Sequence, residues 1–345
     1  MAYTTVNKST DHFNTKLYTG NGSTNAITGV GFQPDFTWIK RRDGTYNHYA
    51  FDAPRGAGKY LKPNQTSAET DGSADHLTAW TSDGFNLGNT AGVNLDTATF
   101  ASWNWKANGS GSSNTDGSIT STVSANTTNG FSIVKWVGTG ANATIGHGLG
   151  AVPKIIIVKN LSSTTDWYVY TEMTGNTHSM ILNTTSAKVG AYSDNWNDTT
   201  PTSSVFSVGS SSSTGGASGN DMIAYCFADV TGYSKFSSYT GNGDADGTFV
   251  PLSFRPAMVI IKRTDSTGNW NISDNKRLGY NPNNVRLVPN DTGTEDATDT
   301  PLDMLSNGFK LRATSQYVNY SGGSYIYLAF GQTMVGTNNV PATAR

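Results

Sequence analysis

Three stretches of the chain set a proline and a lysine six residues apart around an apolar run: PDFTWIK (34–40), PKIIIVK (153–159) and PAMVIIK (256–262). The runs are apolar at successive positions, so each predicts a strand covered on both faces. Each is followed at a distance by a second apolar stretch: ASWNW (101–105), IAYCF (223–227) and IYLAF (326–330). By the two-residue period of a strand, Ala101, Trp103 and Trp105 share one face, as do Ile223, Tyr225 and Phe227, and Ile326, Leu328 and Phe330. Turn dipeptides such as Asp83-Gly84 and Asn307-Gly308 separate the runs, and no helical period persists for about ten residues. The pattern predicts an all-β chain of short antiparallel strands packed as sandwiches.

Counting on from the three lysines extends the register. Eight residues on stand His48, Trp167 and Trp270; twelve on, Asp52 and Asp274; fifteen on, Arg55 and Arg277. LKPN (61–64) matches LVPN (287–290), SDGFNLG (82–88) matches SNGFKLR (306–312), and the turn YTGNG occurs at 18–22 and again at 239–243. A unit of about 100 residues therefore occurs three times, the size of a small domain. The first and third copies are close, and the second keeps only the strand frame. The expected division is a first sandwich at 1–106, a Gly/Ser/Thr-rich linker at 107–130, a divergent second sandwich at 131–229, a third at 230–331 and a tail at 332–345. The three are expected to be jelly-roll or lectin-like sandwiches following one another along the chain, the third able to fold alone. The first half of the linker reads as flexible, SITSTVSA (118–125) as a possible edge strand, and SSSSTGGASG (210–219) as a mobile loop.

Composition narrows the function. A net charge of −2 gives no electrostatic reason to expect nucleic acid or an anionic membrane as partner, and no apolar stretch reaches the ~20 residues of a membrane-inserted helix. Cys226 is the only cysteine, so an intrachain disulfide is impossible; it falls mid-strand and reads as a small buried thiol. The scarcity of Glu, present only at 69, 172 and 295 and read as non-equivalent positions in the three units, leaves no patterned acid/base pair for glycosidase chemistry. No G-x-S-x-G elbow occurs, and His12, His48, His76, His147 and His178 lack metal-ligand spacing. HGLG (147–150) reads as a glycine turn carrying a histidine. NGDADG (242–247) opens like a calcium loop but has Ser253 where a bidentate Glu is required, so it reads as a solvated turn. No catalytic residue, metal or cofactor is expected.

Asp52/Arg55 and Asp274/Arg277 read as ion pairs tying a loop to the sheet, and Trp38, Trp103 and Trp105 as core. Trp167 and Trp270 stand in loop-like surroundings, where a scaffold role and a contact role are equally open. Recognition of one partner should use what is peculiar to a unit. That points to AYSDNWND (191–198) and LGYNPNN (278–284), with Tyr192, Trp196 and Tyr280 as flat faces and Asp194, Asn195, Asn281 and Asn283 as hydrogen-bonding groups. The alternative is that these loops only cover the ends of their own sandwiches.

AYCFADVTGYSKFSSYTGNGDADG (224–247), MVIIKRTDSTGNW (258–270), LSNGFKLR (305–312) and SANTTNGFSIVKWVGTGANATIGHGLGAVPKIIIVKN (124–160) resemble a repeat family common in tailed bacteriophages of marine and environmental origin. The resemblance covers nearly the whole chain after Phe13. It implies a virion structural protein without catalytic motif: a tail-fibre or appendage subunit, alternatively a head-decorating or baseplate protein, and as a further alternative a polysaccharide depolymerase tailspike. The implied partners are other virion proteins and host-surface polysaccharide, the implied location is the virion, and the implied assembly is a homo-oligomer, by analogy with phage fibres a trimer.

Overall fold

The computed structural model describes residues 4–278, 281, 285–298 and 301–333. The chain is all-β, built from several antiparallel sheets; among the described residues the helices are two four-residue turns, Ala91–Asn94 and Ser193–Trp196, and a 3-10 turn at Ser9–Asp11.

One strand order recurs. The first main sheet runs Phe13–Thr19, Thr99–Trp105, Phe36–Arg41, Tyr49–Asp52, with every neighbour antiparallel. In the C-terminal third the order is Ser234–Thr240, Ser324–Thr333, Phe254–Arg263, Asn271–Asp274. The middle sheet has Phe131–Val137, Asp221–Phe227, Ile155–Asn160, Tyr168–Thr171 in the same order. Ser121–Asn126 and Ser112–Asn114 extend it on one edge, and His178–Ile181 and Val189–Gly190 on the other. The aromatic stretch thus sits beside the proline–lysine strand in all three.

SITSTVSA does supply a strand, Ser121–Asn126, but it lies second from the edge, with Ser112–Asn114 outside it. The segment before it is not a loose connector. Ser112–Asn114 pairs with Ser121–Val123, and the Asp35 carboxylate accepts the amides of Ala107 (2.7 Å) and Gly109 (3.1 Å). Polar side chains do not prevent a strand whose backbone pairs along one side with a neighbouring strand.

Each main sheet stacks one face on a smaller sheet. For the first, Ile39, Phe51 and Phe100 meet Ile27, Leu77, Phe85 and Leu87 of the sheet formed by Asn25–Ile27, Gly84–Leu87 and Leu77–Thr81. The other faces meet one another. Trp38, Trp103, Trp105, Ile133, Tyr225, Phe227, Ile260, Leu328 and Phe330 belong to a single buried cluster drawn from all three main sheets. The three main sheets therefore share one core, which the sequence pattern did not foresee. A sheet apolar on both faces needs two covers, and each has one small sheet to hand. The remaining three faces bury each other, so an isolated third segment would expose Met258, Ile260, Ile326, Leu328 and Phe330, all at or below 5% exposure. A cavity of about 20 Å³ remains where Phe36, Trp38, Trp105, Tyr225 and Phe330 converge. It is apolar and no larger than one water.

Candidate functional site

The three sheets are clasped in a closed cycle by one repeated set of hydrogen bonds. Lys40, Lys159 and Lys262 are each 0% exposed. Their Nζ groups donate to the carbonyls of Thr292 (3.1 Å), Thr66 (3.1 Å) and Thr185 (3.3 Å), each in a loop of the neighbouring sheet. Six residues past each lysine, the backbone amides of Tyr46, Thr165 and Gly268 donate to the same three carbonyls. Eight residues past, a ring N–H reaches four residues further back in that loop: His48 Nε2 to Val288, Trp167 Nε1 to Lys62 and Trp270 Nε1 to Ile181. Trp38 Nε1 donates to His48 Nδ1, leaving Nε2 as the donor. The loop between is pinned by Asn64, Asn183 and Asn290, whose Oδ1 atoms accept the amides of His48, Trp167 and Trp270. The open role of Trp167 and Trp270 is therefore structural: both are buried and bonded across the sheet boundary.

Burial disfavours charge on all three lysines and lowers each to about 8. An amine near neutrality can act as a nucleophile, but with no exposure these three have no substrate access.

The register also relates two of the three glutamates, contrary to the sequence expectation. Glu69 and Glu295 stand five residues after Asn64 and Asn290. Their amides donate to Leu161 and Arg42, and their carboxylates meet Arg55 and Arg277. Lys188 replaces them in the middle loop, its amide donating to Thr264. Glu295 also takes both Arg42 Nε (2.8 Å) and Nη2 (2.9 Å) across the boundary. Arg55 Nε meets Asp52 Oδ2 at 2.5 Å and Arg277 Nε meets Asp274 Oδ2 at 2.6 Å, the expected ion pairs. Each aspartate accepts a further donor from another sheet: Tyr225 Oη on Asp52 (2.7 Å) and Trp103 Nε1 on Asp274 (3.1 Å). Burial pushes the Asp274 carboxyl up, but Arg277 and the hydrogen bonds outweigh it and hold it below the usual range.

On the surface of this clasped region lies a polar groove of about 470 Å³, lined by Asn64, Gln65, Thr66, Ser67, Thr164 and Asn183. No lining side chain is charged. Sequence reading missed it because it recognised LKPN and LVPN but not the middle copy, where Leu182 replaces the proline. The signal was Asn-x-Thr at 64–66, 183–185 and 290–292.

The expected contact residues have mixed positions. In the loop around Ser193–Trp196, Tyr192 is 53% exposed and Asp194 is exposed, but Asn195 (4%) and Trp196 (1%) are buried. The indole packs edge-on to Tyr170 and donates to Ser179 Oγ at 2.8 Å. The Asn195 carbonyl accepts Gly209 N and Thr214 Oγ1, so the 210–219 segment is tied down rather than mobile. Trp196 and Asn195 are thus the anchor of the loop and offer no face to a partner; an indole with an apolar pocket beneath its own loop is drawn inward. Ala191, Asn197 and Asp198 hold φ of 62°, 50° and 46°, backbone strain that this anchoring sustains. Burial first, then the charges of Asp166 and Asp194, raise the nearby Tyr168 phenol. Asn281 exchanges two hydrogen bonds with the backbone of Met304 (2.8 and 3.0 Å) and so serves the scaffold. Tyr280 and Asn283 lie outside the described residues.

Other candidate chemistry resolves into structure. Asp246 of NGDADG pairs with Lys310 (2.6 Å) and Arg312 (3.1 Å), a cationic setting unsuited to calcium. His147 is buried, its Nδ1 accepting Leu149 N and its Nε2 bonded to the Thr202 carbonyl. Burial pushes the Cys226 thiol up. Among the described residues no three His, Cys, Asp or Glu side chains are grouped to hold a metal ion.

Residues 8–333 match a family described as "Domain of unknown function (DUF7483)", and the chain belongs to that family. No curated protein matches the chain, and no solved structure does.

Proposed function

We propose that this member of the DUF7483 family is a non-enzymatic structural protein of a bacteriophage virion, a tail-fibre or appendage subunit that contributes to attachment at host-surface polysaccharide. Within that reading the fold is three lectin-like sandwich repeats with equivalent strand frames. The observation that carries it is the construction: three sheets locked around one aromatic core by a repeated clasp, a rigid body without disulfides. Such a body suits a particle that must persist outside the cell. The glutamates support the non-enzymatic part. Glu69, Glu172 and Glu295 are each engaged in an ion pair with an arginine or lysine, so each already has a structural partner. The outward groups Tyr192 and Asp194, on a strained loop peculiar to the second segment, are the proposed contact point from the sequence.

The test is location and blockade. Purified particles of the encoding phage should contain the chain by mass spectrometry, and Fab fragments raised against it should slow adsorption to host cells. Absence from particles overturns the reading. Presence with unchanged adsorption moves the role to head decoration or baseplate contacts. Release of reducing ends from host capsule by the purified chain would make it a depolymerase.

A further inference from the structure

The repeated clasp has an outer surface as well as a buried one. The buried part uses backbone carbonyls and amides together with lysine, histidine and tryptophan donors. Apart from Thr165, whose hydroxyl accepts Lys159 Nζ at 3.2 Å, threonine hydroxyls take no part in it. Yet threonine stands at both flanking positions in all three boundaries: five residues past each lysine (Thr45, Thr164, Thr267) and two past each asparagine (Thr66, Thr185, Thr292). Five of the six are exposed and Thr292 is half-buried. The clasp needs no particular side chain at these positions. The middle segment, which has lost the Asp/Arg pair and the S-x-G-F turn, has kept both threonines.

The groove described above lies at the boundary where Thr164 faces Thr66. The shared hydrogen bonds put Thr267 opposite Thr185 in the same relation, with Asn183, Thr184, Ser186 and Asn290 around them. At the remaining boundary, Thr45 opposite Thr292, the equivalents of Gln65 and Ser67 are Asp291 and Gly293. Among these positions two boundaries are uncharged and one carries a carboxylate; beside the first groove, Asp166 accepts the Asn183 amide at 2.7 Å, where the other uncharged boundary has Asn269. Amides and hydroxyls without charge make a surface that recognises a neutral polyhydroxylated chain through paired donors and acceptors.

We propose that a single chain is a multivalent binder of neutral polysaccharide, with equivalent subsites at the Thr164/Thr66 and Thr267/Thr185 boundaries. The clasp cycle closes within the chain, the first sheet gripping the last loop, so the threefold repetition of a trimer is already internal. Multivalency then needs no second copy: two subsites on one rigid body raise the local concentration of a repeating polymer at each. This rests on the attachment reading but places the contact away from Tyr192.

Native mass spectrometry and affinity electrophoresis test it together. The chain should run as a monomer of 36.7 kDa, and at least one of three immobilised neutral polymers (dextran, yeast mannan, a galactan) should retard it. The double variants T66V/T164V and T185V/T267V should each weaken retardation about tenfold, and the quadruple variant should abolish it. Unchanged circular dichroism and melting in each variant exclude misfolding. A trimer in solution, or retardation untouched by the quadruple variant, overturns the proposal. If Tyr192→Ala alone removes retardation, the subsite assignment fails while attachment stands. If none of the polymers retards the chain but the labelled chain still binds host cells, the neutral-glycan assignment fails and attachment again stands. If the quadruple variant instead loses incorporation into particles, the grooves hold a protein partner and the proposal is also wrong.

Discussion

Replacing Trp103 should separate packing from electrostatics at the boundary between the first and third sheets. The indole is 0% exposed, packs edge-on against Trp38, lies under the Arg277 guanidinium at 5.7 Å and donates to Asp274 at 3.1 Å. Trp103→Ala removes all of this and should cost about 3–5 kcal/mol from burial and cavity alone. Trp103→Phe keeps most of the packing but takes one donor from a buried carboxylate, at about 1.5–3 kcal/mol. Trp80 provides the control. It is half-buried against the first sandwich, and its Nε1 is buried without a partner, so Trp80→Phe loses no hydrogen bond and should be neutral or slightly stabilising. Urea denaturation at pH 7 reads all three. The Trp103→Phe deficit should also depend on pH. The Asp274 carboxyl lies below its ordinary range in the folded state, so its contribution is present above the unfolded value and is lost as pH falls through the folded one. Equal losses for Trp103→Phe and Trp80→Phe, or a deficit unchanged in strong acid, would refute the assignment of this indole to the Asp274–Arg277 pair.

The segment 230–333 expressed alone should show no cooperative unfolding, because its inner face lacks the other two sheets; a sharp calorimetric transition would count against the shared core. Stability should rise between pH 7 and 9 by about 1 kcal/mol per clasp lysine, since the unfolded chain, with ordinary lysines, binds more protons there than a folded chain whose lysines lie at about 8. Above pH 10 the sign reverses, as Tyr18, Tyr225 and Tyr239, raised by burial, hold protons that the unfolded chain releases. A steady fall of the urea midpoint from pH 7 to 9 is the contrary result. Cys226 should react with a thiol reagent only at the rate of unfolding, and rapid labelling of the native chain would contradict its burial.

The strand frame was legible because its cause is local. Proline, a doubly apolar run and lysine at fixed spacing identify the strand at the centre of each sheet, and period two identified the inward series Ala101/Trp103/Trp105. The shared core was less legible, since a strand apolar on both faces says that two covers exist but not which elements supply them. The lysine marked the register without revealing its role, because its neighbours in space, the Thr66, Thr185 and Thr292 carbonyls, are backbone atoms that no side-chain pattern encodes. Trp196 misled for a related reason. Its polar loop suggested exposure, but Ser179 and Tyr170, distant in sequence, form the pocket that takes it.

The divergence of the middle segment has a physical explanation in this arrangement. Asp52 and Asp274 are both buried and both rely on a donor from another sheet, Tyr225 and Trp103 respectively. These donors occupy equivalent places in their aromatic strands, and the third strand has Leu328 there. Leucine offers no hydrogen bond, so a carboxylate facing it would lose one of the contacts that make its burial tolerable. At that third boundary the chain has Thr171 and Thr174 in place of the aspartate and arginine, and their hydroxyls pair with each other at 3.1 Å. The ion pair and its cross-sheet donor are therefore present together or absent together. A variant that introduced Asp and Arg at 171 and 174 should fold poorly unless Leu328→Tyr accompanied it. Restoration of stability by the third change would establish that these boundaries are set as matched units, and equal instability with or without it would deny that coupling.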